Sequence, residues 1–307
     1  MRARAPLALI ALTALIAACD GGTTPDDTDT GSGTDTAGPP VLEDYINVTD
    51  EALISAGTCW TPGDAWIAQQ VNVEASMSLP GTGLVADFES GSAVFGAFVE
   101  VFNNDDASGT ADETGTTDQN GHVELTLPTC TPTSYRVSTA DGETKNTYEA
   151  HQFYISDGSQ HAGTEFNSVS RTTYQIIPSI LGISPDPTRS IIAGTAFDCV
   201  ENPIQNAQVV VKIDGQIADG VVIKYFVDEF PNRDQPATSP DGLWIAINVP
   251  PGLVTVEMYG VVGGGAPQRL GTTQLPSRAD SINIANIYYG IDGGVKYPSE
   301  CLVQQGF

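Results

Sequence analysis

The sequence predicts an all-β protein built from two tandem β-sandwich domains, and three observations carry that expectation. Short runs alternate apolar and polar residues with a period of two, turn dipeptides separate the runs, and a strand-turn-strand pattern occurs twice, about 121 residues apart. A chain of 307 residues has room for two such cores.

Residues 1–18 come first and are read as an export signal. Arg2 and Arg4 give a basic start, Leu7 to Ala18 give an apolar run, and Ile16-Ala17-Ala18-Cys19 resembles a bacterial lipobox. The resemblance implies cleavage before Cys19 and lipidation of Cys19, with palmitate among the attached acyl chains. The apolar stretch from Pro6 to Ala18 is thirteen residues, short of the roughly 20 that a spanning helix needs. The expected location is therefore extracytoplasmic, lipid-anchored to the bacterial cell envelope. Asp20 resembles an inner-membrane retention signal of some Gram-negative bacteria, and either membrane stays open.

Residues 19–40 follow as a lipidated cysteine and a linker. Between Asp20 and Pro40 there are five Asp, six Thr, five Gly and three Pro, with no aromatic or basic residue. Such a segment has no apolar area to bury, so the sequence predicts disorder. Its typical reach is about 25 Å, enough to hold a folded body clear of a lipid surface.

Charge narrows the partners. From Cys19 onward the chain carries 10 Lys plus Arg against 38 Asp plus Glu. Affinity for phosphate backbones comes from clustered Lys and Arg, so nucleic acid is not an expected partner. The expected partners are the membrane, through the N-terminal anchor, and an envelope polysaccharide or protein. Calcium loops would need Asp and Asn at fixed spacing closed by a distal carboxylate, and no stretch has that pattern.

Four further cysteines, Cys59, Cys130, Cys199 and Cys301, predict disulfides in an oxidising compartment. Sequence allows three pairings; the domain division favours Cys59 with Cys130 and Cys199 with Cys301. A thiolate metal site is not expected, because no Cys-x-x-Cys spacing occurs.

The first sandwich is expected over residues 41–185 and the second over 186–307. Strands are read at Ala97–Phe102, His122–Leu127, Ala207–Lys212 and Val254–Tyr259, with turns at Asn120-Gly121, Asp141-Gly142, Asp214-Gly215 and Asp241-Gly242. No long segment shows a helical period; only Thr49 to Ala56 suggests a short helical turn. Gly260 to Gly265 reads as a hairpin tip, because no helix pattern follows to make it a phosphate loop.

The repeat runs from Thr117 to Pro128 and again from Ser239 to Gly252, each copy preceded by a matching strand at Gly96–Val101 and Asn206–Val211. Gly194 to Val209, followed by Asp241-Gly242 and Pro250-Pro251-Gly252, resembles the carboxypeptidase regulatory-like, or transthyretin-like, domain. That family implies a seven-stranded sandwich of immunoglobulin-like shape without catalytic activity of its own. The resemblance covers Ile191 to about Tyr289, with Glu201 where the family's turn often has glycine. It is looser in the first half, where a longer acidic loop, Asn103 to Thr116, separates the strands.

Chemistry is sparse. Nucleophile-elbow, His-Glu-x-x-His, phosphate-loop and dinucleotide motifs are absent from the sequence. The one candidate constellation is Glu149, His151, His161 and Glu165 around an Asp157-Gly158 turn, where imidazole and carboxylate would suit zinc. The plainer reading makes them polar residues flanking a hairpin, since zinc needs a third converging ligand. No cofactor is expected.

Aromatic residues offer a second site, a platform for sugars. Trp60 and Trp66 lie beside Cys59 and are expected to pack there; Trp244 faces inward if the register is counted from Gly242 and outward if counted from Pro250. The family pattern puts it in the core. The sequence thus predicts a non-catalytic envelope protein with a structural, adhesive or ligand-binding role. The alternatives are a carbohydrate-binding module using exposed aromatics and a metal-assisted hydrolase centred on His151 and His161.

Overall fold

Period-two patterning becomes strand almost everywhere. The structure, a computed structural model, describes residues 78–88, 90–155, 164–198, 200–293, 296 and 298. Expectations for residues 1–40, for Thr49–Ala56, for the Asp157-Gly158 turn, and for Cys59, Trp60, Trp66, His161, Cys199 and Cys301 lie outside the described residues.

The first half contributes β1 (Ser78–Asp87), β2 (Ala97–Phe102), β3 (Glu113–Thr116), β4 (His122–Pro128), β5 (Thr133–Thr139), β6 (Thr144–Gln152) and β7 (Thr164–Ser170). Helix α1 (Arg171–Leu181) follows. The second half contributes β8 (Ser190–Phe197), β9 (Gln208–Ile213), β10 (Gln216–Ile217), β11 (Val222–Val227), β12 (Phe230–Asn232), β13 (Leu243–Val249), β14 (Gly252–Val261), β15 (Pro267–Ser277), β16 (Ser281–Ile284) and β17 (Ile287–Tyr288).

The architecture is all-β, with sheets facing each other across apolar cores. In the first half, β4-β1-β7 faces β3-β2-β5-β6. Between them lie Val85, Val99, Val101, Val123, Leu125 and Phe166. In the second half, β12-β11-β13-β8-β16 faces β10-β9-β14-β15 over Ile192, Val209, Trp244, Val256, Met258 and Ile287. The two halves meet in β16, which pairs in parallel with β6 on one side and β8 on the other. One sheet therefore runs from β12 to β3 through both halves.

The duplication read from sequence repeats atom by atom. Thr117 Oγ1 accepts from the backbone N–H of Ala97 at 2.8 Å and donates to the Val94 carbonyl at 2.6 Å. In the second half, Thr238 Oγ1 accepts from Ala207 N–H at 2.8 Å and donates to the Ile204 carbonyl at 2.7 Å. Val85 N–H donates to Gly121 O in the first copy, and Ala196 N–H to Gly242 O in the second, at 2.8 and 2.9 Å. Gly121 and Gly242 occupy left-handed backbone at φ 77° and 68°, where an added Cβ would come within 3 Å of the Val85 or Ala196 carbonyl. β1, β2 and β4 are thus the twins of β8, β9 and β13.

Two expectations need correction. The segment after β7 is helical: Ser170 caps α1 by accepting from Thr173 N–H at 3.0 Å, and Gly182 ends it at φ 73°. Tyr174, Ile177 and Leu181 then fall on one face, packing on Ile191, Ile245, Ile247, Ile282 and Ile284. Pro178 inside the run masks that period, yet it is accommodated. The acidic stretch Asn103 to Thr116 is also not all loop, since its last four residues form β3 against β2.

β13 explains the ambiguity over Trp244. It is buried on both faces, with Trp244 and Ala246 in the inter-sheet core and Ile245 and Ile247 under α1. Trp244 is 1% exposed, so register follows Gly242. A bulge at Asn248, φ 64°, breaks the count from Pro250.

Candidate functional site

Of the residues offered for chemistry, Glu149 and His151 lie on β6 at the seam between the halves, and Glu165 lies apart from them on β7. The β2–β3 connection brings Asp105 to that seam, and the end of β15 brings Gln274. His151 sits in left-handed backbone at φ 60° at the end of β6. Its Nε2–H donates to the Gln274 carbonyl at 2.7 Å, and its Nδ1 lies 3.3 Å from Asp105 Oδ1. The imidazole is a bracket across the seam.

Glu149 is buried. It accepts from the Tyr135 hydroxyl and, at 3.0 Å, from Asn167 Nδ2. Burial pushes the Tyr135 phenol well above its ordinary range, and the Glu149 charge adds to it. Tyr135 also accepts from Asn167 N–H at 2.8 Å, so this carboxylate ties β5, β6 and β7 together. Glu165, on β7, is exposed. Among the described residues no group of three or more His, Cys, Asp or Glu could hold a metal ion.

A small cleft, about 190 Å³ of empty space open to solvent, lies against this seam. Asp105, Ser134, Tyr148, Arg278 and Asn283 line it. The Arg278 guanidinium stands 4.4 Å over the Tyr148 ring, a cation–π contact joining the two halves. Burial lowers the Arg278 pKa, opposed by the negative charge of Asp106.

A second polar cluster covers the outer face of β9, β14 and β15. Glu257, 5% exposed, pairs with Lys212 Nζ at 2.6 Å and with Arg269 at 3.6 Å, and accepts from the Tyr259 hydroxyl at 2.5 Å. Burial pushes the Glu257 carboxyl up, but hydrogen bonds from Lys212 and Tyr259 and the two cations hold it below its ordinary value. These groups satisfy one another.

Cys130 is in the β4–β5 connection at φ 51°, its N–H donating to the Tyr154 carbonyl at 2.9 Å. Among the described residues, the exposed aromatic surface lies elsewhere than at the buried Trp244. Phe88 and Phe95, in the β1–β2 connection, and Phe98, near the start of β2, are 47%, 71% and 39% exposed. Three phenylalanines within eleven residues were present in the sequence, but without the register they were indistinguishable from core.

No family model matches the chain, and no curated protein does. Solved structures similar to it include the Bacillus anthracis TIE protein, at 15% identity, covering 69% of this chain and 34% of that one, TM-score 0.22. The chain thus spans about a third of that protein. The shaft pilin SpaA from Lactobacillus rhamnosus GG shares 9% identity over 70% of this chain and 98% of its own, TM-score 0.24. BcpA, the major pilin subunit of Bacillus cereus, shares 14% over 69% of each, TM-score 0.23. No helix among the described residues is long and apolar enough to cross a membrane.

Proposed function

We propose that this chain is a non-catalytic protein anchored to the cell envelope through a lipidated Cys19, with a structural or adhesive role. The observation that carries the reading is the use made of His151. The histidine best placed for chemistry bridges Gln274 and Asp105 across the seam, so it serves the fold. The lipobox-like Ile16 to Cys19 and the acidic linker support a tethered display of the folded body outside the cytosol. Metabolic labelling with an alkyne-bearing palmitate, followed by fractionation, tests the anchor. The native chain should label and sediment with membranes, and Cys19→Ala should do neither; labelling that survives in Cys19→Ala would refute it.

The same reading places Cys59 with Cys130 and Cys199 with Cys301 as disulfides. Cys130 is in the bonded state and not a titrating thiol, which supports the first pair. Lys296 Nζ pairs with Glu201 at 2.5 Å, and these residues are five and two positions along the sequence from Cys301 and Cys199, which supports the second. Exposed Phe88, Phe95 and Phe98 favour a ligand-binding variant of the role, in which these rings meet an envelope polysaccharide or protein.

A further inference from the structure

We infer that β16 is a coupling strand that makes the two sandwich halves one cooperative unit, not two hinged domains. Tandem domains joined by a linker keep separate sheets and separate cores, and they open independently. Here Ser281–Ile284 pairs with Asn146–Glu149 of the first half, and Ile282–Ile284 pairs with Ile191–Ala193 of the second. Withdrawing this one strand would strip backbone partners from both β6 and β8.

Side chains reinforce the backbone. Asp280, just before β16, takes Lys145 of β6 at 2.5 Å through its carboxylate, and its N–H donates to the Arg189 carbonyl at 2.9 Å. Ile282 and Ile284 share one apolar cluster with Val169 from β7 and with Ile191, Ile245 and Ile247 from the second half. Helix α1 covers that cluster, with Tyr174 beneath the Lys145 ammonium at 4.5 Å. His151 with Gln274 and Arg278 with Tyr148 cross the seam as well. Opening either half therefore exposes apolar and polar groups that belong to the other.

Native-state hydrogen exchange in rising urea, read by mass spectrometry on the full chain in detergent, tests the coupling. The slowest amides of β2 and of β14 should merge into one unfolding isotherm with the same urea dependence. Val99→Ala, a change in the first core, should lower protection on the order of tenfold in both strands. Val256→Ala, in the second core, should do the same reciprocally. Amides of one half exchanging through a lower-energy opening that leaves the other half's protection intact would overturn the inference, and the unaltered chain alone can return that result. Lipidation plays no part in it, so failure here and failure of the anchor are separate outcomes.

Discussion

Thr117 and Thr238 show how a single hydroxyl can fix a corner of a sandwich. Each is 3% exposed or less, and each receives an N–H where the chain enters an inner strand, Ala97 or Ala207, while returning a proton to the carbonyl three residues before that N–H. Replacing either with valine keeps the shape and orphans a buried N–H, which costs about 1–3 kcal/mol. Urea denaturation should show that loss in Thr117→Val and in Thr238→Val, and Ser at either position should recover most of it. Gly194 is a stricter case. A Cβ there would come within 1.7 Å of the Ala285 carbonyl, where the chain leaves β16 and passes β8. Gly194→Ala must move backbone, and a loss of about 3 kcal/mol or more in the same assay is expected.

At the scale of elements, α1 and the outer face of β14 make separate predictions. Leu181 anchors the end of α1 in the cluster over β8 and β13, so Leu181→Ala should cost roughly 2–3 kcal/mol by cavity formation, measured by thermal unfolding. Glu257 gives the pH dependence. Its folded carboxyl is held below the ordinary value, so its contribution is complete above the unfolded pKa of about 4.3 and disappears as pH falls through the lower folded value. Stability followed from pH 6 down to pH 2 should decline less steeply in Glu257→Gln than in the native chain. Strands with one wet face were plain in the sequence because period two survives there. The facing of β13 was not, because both its faces are dry, and α1 was not, because Pro178 interrupts an otherwise regular spacing of Tyr174, Ile177 and Leu181.

For the whole molecule, the duplication was legible and the seam was not. Repeats announce themselves through shared turn residues such as Gly121 and Gly242, which local backbone geometry demands. Pairing between β16 and β6 joins residues more than 130 positions apart and needs only four short-range backbone contacts, so composition carries no trace of it. The candidate constellation was half legible for the same reason. Glu149 and His151 do lie near each other on β6, but the partners that define their work, Asn167, Gln274 and Asp105, come from strands and loops that only the fold assembles.

The outward side of β15 carries a further consequence. Its Leu270 carbonyl receives Gly290 N–H, its Thr272 N–H reaches the Ile291 carbonyl, and its Gln274 carbonyl receives His151. A bare margin of sheet is an invitation for a neighbouring molecule to zip on, and crowding multiplies the chance of it. With alternate positions along this rim already occupied, densely packed copies can jostle without fusing through it, remaining discrete where an unguarded rim would seed fibres.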